Sequence, residues 1–132
     1  MIANIRSLTF HLSNKLYALC RLNQKDPLPD WVYQSEFRSV TRTGEELSIV
    51  CDQAFVPFDV QSHRDYCCLR IGGQIAYNAT GILAAVTKIL AEAKISVFAI
   101  STYDTEYIFF QEGHLKVAIH ALEINGHAVI KS

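Results

Sequence analysis

Hydrophobic and polar positions change their rhythm along this chain, and the changes mark its elements. Residues 80–93 read TGILAAVTKILAEA, with Ile82, Leu83, Val86, Ile89, Leu90 and Ala93 at one-face helical spacing. Asn78 or Thr80 offers a side-chain oxygen to cap its start. Ile95–Ser101 and Tyr107–Gln111 are short runs rich in β-branched and aromatic residues, which predicts strands. Residues 113–125 predict a second helix with Leu115, Ile119 and Leu122 on one face and Gly126 as its terminating glycine. With Cys67–Ile71 before the first helix and Ala128–Ile130 after the second, the order is β-α-β-β-α-β, the ferredoxin-like arrangement.

The first half is less regular. Residues 8–22, LTFHLSNKLYALCRL, hold two apolar runs around Ser13-Asn14-Lys15 and predict a β-hairpin. Pro27 and Pro29 forbid a long helix nearby and leave room for one turn over Asp30–Gln34. Phe37–Thr43 and Glu46–Cys51 predict a second hairpin, and residues 54–65, punctuated by Pro57 and polar at the end, a crossing segment. The expected organisation is α+β, with a degenerate, mostly β unit over 1–65 and a complete βαββαβ unit over 66–132. An internal repeat supports two related units. Shifted by 60 positions, VTRTGEELSIV at 40–50 falls on ISTYDTEYIFF at 100–110 and sets Glu46 against Glu106. Two unrelated hairpins can also look this much alike.

Composition narrows the function classes. The 132 residues are 50% hydrophobic and 19% charged, which excludes intrinsic disorder. The net charge of -1 provides no basic excess for phosphates or anionic lipid, so neither nucleic acid nor a membrane is an expected partner. The N-terminal MIANIRSLTFHLSNK is interrupted by Arg6, His11 and Asn14 and does not read as an export signal. The expected location is therefore the cytoplasm, with Cys20, Cys51, Cys67 and Cys68 reduced and buried. In Cys67-Cys68, adjacent strand residues face opposite ways, which predicts one thiol in the core. No histidine stands at metal-ligand spacing with the cysteines, no G-x-S-x-G elbow is present, and Gly72-Gly73 lacks the G-K-[ST] of a phosphate loop. No metal, cofactor or catalytic residue is expected.

The candidate chemistry lies at two places. Around Tyr77-Asn78-Ala79-Thr80-Gly81-Ile82-Leu83 a helix begins, and its unpaired amides and dipole favour a carboxylate. The turn Ser101, Thr102, Tyr103, Asp104, Thr105, Glu106 groups hydroxyls with carboxylates. In a βαββαβ unit the first and third strands are neighbours, so this turn can lie beside the helix start. Together they offer donors for the carboxylate of an α-amino acid and acceptors for its ammonium. The same residues also fit a solvated hairpin turn, and Glu46 fits either a surface charge or a contact of a second, vestigial site.

LYALCRL, EFRSVTRTGEELSIVC and TGILAAVTKILAEAKISVFAISTYDTEYIFF resemble bacterial ACT-domain proteins of the type related to the eukaryotic cytosolic arginine sensor. The resemblance spans about residues 8–130. It is most specific in I-S-x-F-x-I-S-T-Y-D-T-x-Y-I at 95–108 and T-G-I-L-A at 80–84. The family usually has Asp where this chain has Glu106, a departure of one methylene. The resemblance implies tandem ACT units, a homodimer, and an amino acid bound between units. The helix start and the polar turn supply the expected ligand-binding residues, Asn78, Thr80, Gly81, Ile82, Ser101, Thr102, Tyr103, Asp104 and Glu106. With no enzyme or DNA-binding domain attached, any output would pass through an unknown protein partner or a change of assembly. A structural interaction module without a ligand, or a small enzyme on the same fold, are the alternatives.

Overall fold

Backbone pairing, rather than hydrophobic rhythm alone, decides several of these elements in the computed structural model, which describes residues 7–72 and 81–131. Eight strands and two α-helices lie among them: β1 Thr9–Leu12, β2 Tyr17–Leu22, β3 Arg38–Arg42, β4 Leu47–Asp52, β5 Ser62–Ile71, α1 Ile82–Glu92, β6 Phe98–Ser101, β7 Glu106–Gln111, α2 Leu115–Ile124 and β8 Ala128–Lys131. The chain divides into two compact units, Lys15–Tyr66 and Met1–Asn14 with Cys67–Ser132. The sequence predicts a single cut after residue 65. The structure instead groups the first strand with the C-terminal residues. Among the described residues no helix is long and apolar enough to cross a membrane.

The 15–66 unit is built from strands and short 3-10 turns. Here β3, β4, β2 and the first half of β5 pair antiparallel in that order. Ala18 and Cys20 of β2 and Leu47, Ile49 and Cys51 of β4 alternate onto one face and form its core with Val32 and Val56. The predicted single turn over Asp30–Gln34 is a 3-10 turn that delivers Val32, and Trp31 and Leu28 flank it. The thiols of Cys20 and Cys51 are hydrogen-bonded to each other in this core, which with burial holds Cys51 protonated.

The C-terminal unit has the strand order β8-β1-β5-β7-β6, with β1 parallel to β8 and antiparallel to β5. The predicted hairpin over 8–22 is thus corrected. β1 pairs on its two edges with β5 and β8, and β2 with β4 and β5, so neither has an edge left for the other. The break at Ser13-Asn14 only passes the chain from one stretch of β5 to another. β5 itself is longer than Cys67–Ile71. Ser62–Asp65, predicted as crossing segment, is strand because β2 pairs with it despite its polar side chains.

Helix α1 starts two residues later than the pattern implies and buries Val86 and Leu90 most deeply. On α2 the buried stripe is Ala118, Ala121 and Leu122, while Leu115 and Ile119 are only half-buried. Small alanines at the centre of that face allow close approach. Both helices end in the same motif. For α2, the amides of Gly126 and His127 donate to the carbonyls of Glu123 (3.0 Å) and Leu122 (3.1 Å), with Gly126 at φ +88. For α1, Lys94 and Ile95 donate to Ala91 and Leu90 (both 2.9 Å), with Lys94 in the left-handed position at φ +63. Because Ile95 closes this cap, β6 begins only at Phe98. Cys67 and Cys68 are both buried, so both faces of β5 are covered there, against the expectation of one thiol inside. Burial pushes Cys67 up to about 11 and Cys68 up to about 12.

Candidate functional site

The polar turn between β6 and β7 is a tight hairpin. Ser101 pairs with Glu106 in the last rung of the ladder. The Thr102 amide donates to the Thr105 carbonyl (2.8 Å), and the Thr105 amide returns to the Thr102 hydroxyl (3.2 Å). Tyr103 and Asp104 form the tip, with Tyr103 93% exposed. Thr105 is the anchor. It is buried, and its hydroxyl donates to the carbonyl of Ile71 at the end of β5 (3.0 Å). The sequence places Thr105 in the turn but does not mark it as the anchor, because a threonine in a polar turn carries no sign of burial.

At that end of β5 the chain turns through Gly72, whose amide donates to the Thr9 carbonyl at 2.6 Å. A Cβ there would lie 2.8 Å from that oxygen and 2.9 Å from His11 Nε2, so only glycine fits. The candidate residues Asn78 and Thr80 lie outside the described residues. Gly81 opens α1 in the left-handed region (φ +83), and its carbonyl accepts from the Ala85 amide. Among the described residues no side chain caps α1, and no acidic residue stands in its first turn, which includes Ile82, at the positive end of the helix.

The decisive pairing is Ser101 with Glu106. The serine hydroxyl reaches both carboxylate oxygens, at 2.6 and 2.8 Å. Among the described residues no cation pairs with Glu106. By alternation Glu106 shares its row with Ile108 and Phe110, both fully buried. A carboxylate thus ends a row that is otherwise apolar, with one hydroxyl as its hydrogen-bond donor. The structure joins Ser101 with Glu106 and Thr102 with Thr105, and it leaves Tyr103 pointing to solvent.

Residues 61–123 match the family model of the ACT domain, and a second model, of an N-terminal domain, matches residues 15–59. A crystal structure of a protein from Agobacterium tumefaciens superposes with a TM-score of 0.90 at 29% identity, covering 97% of this chain and 96% of that one. The fold is that of ACT domains. A Vibrio cholerae protein of unknown function, described as a possible transport protein, gives a TM-score of 0.73 at 25% identity over 89% of each chain. The ligand-free regulatory subunit of aspartate kinase from Thermus thermophilus gives 0.63 at 10% identity, over 90% of this chain and 98% of its own, a likeness of fold alone. No curated protein matches the chain. ACT domains are regulatory modules for small molecules, so the match supports a regulatory role.

Proposed function

We propose that this protein is an amino-acid sensor without catalytic activity, a cytoplasmic homodimer that reports its ligand to a protein partner. The carrying observation is Glu106, a partly buried carboxylate whose one hydrogen-bond donor among the described residues is the Ser101 hydroxyl. Leaving such a group without a counter-charge costs stability, and a ligand ammonium supplies one. The start of α1 at Gly81-Ile82, which no described side chain caps, is the complementary group for the ligand carboxylate, with Asn78 and Thr80 beside it in sequence. Thr102 shapes the turn, and Tyr103 and Asp104 flank the ligand at its tip. On this reading Lys15–Tyr66 is a degenerate ACT-like unit, and the kinship with the arginine-sensor type belongs to the same proposal. Exposed Val117 and Ile124 on α2 and Ile130 on β8 offer apolar surface for a dimer contact.

Calorimetric titration with each L-amino acid tests the proposal. One or more should bind, and Glu106→Gln should weaken that binding by about tenfold or more, as expected for the loss of a charged hydrogen bond. No heat from any amino acid at millimolar concentration would refute it. Sedimentation with and without the ligand tests the dimer.

A further inference from the structure

The 15–66 unit carries a hollow with charged and polar side chains at its rim, on the side away from its core. Leu19 and Arg21 alternate with the core residues Ala18 and Cys20 along β2, so they project from the opposite face. The register sets Arg21 across from Ser48 of β4, and Leu19 across from His63 of β5. Residues directly opposite in an antiparallel ladder share a face, and Glu46 extends the Ser48 row by two positions. These five residues, with Cys20, Gln61 and Ser62, line a hollow of about 240 Å³.

The charges at its rim are close but not closed on each other. Arg21 Nε lies 4.0 Å from Glu46 Oε1, too far for a hydrogen bond, with the two side chains 52% and 42% exposed. Arg21 is steadied by one bond, from Nη2 to the Glu45 carbonyl at 3.0 Å, which leaves most of its donors available. The Ser48 hydroxyl and the His63 ring have no hydrogen-bond partner among the described residues. An exposed pair of this kind contributes little stability, so inserting a ligand between its members costs little.

We infer that this hollow is a second binding site, for a free α-amino acid. Its carboxylate sits against Arg21 and the Ser48 hydroxyl and its ammonium against Glu46. Its aliphatic part lies on Leu19, and the His63 imidazole meets the end of its side chain. An α-amino acid carries its two charges on groups one carbon apart, which suits a cation and an anion held side by side. A simple anion would leave Glu46 facing it with like charge. The site uses no residue of the β6–β7 hairpin and stands independently of the function proposed above.

The test is NMR titration of the full chain with each L-amino acid in turn. The readouts are the Arg21 Nε–H, the His63 ring, and the backbone amides of residues 46–48, with those of Ser101 and Glu106 alongside. We expect saturable shifts at the first group for at least one amino acid. Arg21→Gln should weaken that response by about tenfold or more and leave Ser101 and Glu106 unmoved. Glu106→Gln should leave the Arg21 response intact. Removing the ligand's positive charge, by using its N-acetyl derivative, should also cost about tenfold. Absence of shifts at Arg21, shifts indifferent to Arg21→Gln, or equal binding of the N-acetyl compound would overturn the inference. A response at Arg21 with none at Glu106 would support this site while removing the other.

Discussion

Two hairpins, β3–β4 and β6–β7, are built alike and differ at one rung. In each a threonine opens the turn. Thr43 and Thr102 donate their amides to the carbonyls of Glu46 and Thr105, and their hydroxyls receive the amides of those same residues at 3.2 Å. Beyond the turn, Ile49, Val50 and Cys51 are buried as Ile108, Phe109 and Phe110 are. The next rung out parts company, with Arg42 and Leu47 in one hairpin and Ser101 and Glu106 in the other. A fully buried leucine in the first thus corresponds to a carboxylate in the second. One hairpin completes its apolar row, and the other interrupts it with a charge.

This comparison also corrects the repeat. Equivalent rungs are separated by 59 residues, not 60, so Glu106 answers to Leu47 and not to Glu46. The ungapped match at 60 is attractive because it aligns two glutamates. The turn hydrogen bonds choose the neighbouring register, and in a strand a shift of one reverses which face a side chain takes. Glu46 therefore belongs to the outer face, where it lines the hollow, and Glu106 to the row of Ile108.

The largest expected contrast lies in the cores. Phe109 is fully buried and stacks on Phe98 with ring centroids 4.6 Å apart, whereas its counterpart Val50 is a small side chain. Phe109→Ala should cost about 3–5 kcal/mol in denaturant unfolding, and Val50→Ala roughly half as much. Equal costs would mean that the two hairpins support their units to the same extent.

Next in size is the exchanged rung. Glu106→Leu copies the β3–β4 hairpin into β6–β7. It should raise unfolding stability by about 1 kcal/mol and abolish amino-acid binding at that hairpin, the usual exchange between function and stability. A destabilised variant would show that Glu106 is already well satisfied without ligand.

The smallest expected effect is shared by the two turns. Thr43→Val and Thr102→Val each remove the hydroxyl that accepts the turn amide, and each should cost about 1 kcal/mol, within a few tenths of the other. A clear inequality would break the equivalence drawn above.

What was legible in the sequence follows from how each element is held. Helix α1 declares itself because its apolar residues recur with the helical period, and Gly126 because a left-handed cap needs a glycine. The same motif after α1 is hidden, since Lys94 fills the glycine position and Ile95, strand-like in character, closes the cap. Ser13-Asn14-Lys15 has turn chemistry, but the edges it would join are taken by distant strands. Ser62–Asp65 is strand through partners that hydrophobicity does not reveal. At the candidate site, the residue types in Ser101–Glu106 were visible as a cluster. The burial of Thr105 and its bond to Ile71 depend on β5 and β7 being neighbours, which no local pattern contains.

The position of β1 between β5 and β8 has a consequence for biosynthesis. β1 is made long before β8, the partner that satisfies its parallel edge. Until Ala128–Lys131 has been made, one margin of the C-terminal unit presents unpaired amides and carbonyls, an opening for pairing with other nascent chains. Closure of this margin is thereby tied to the synthesis of β8.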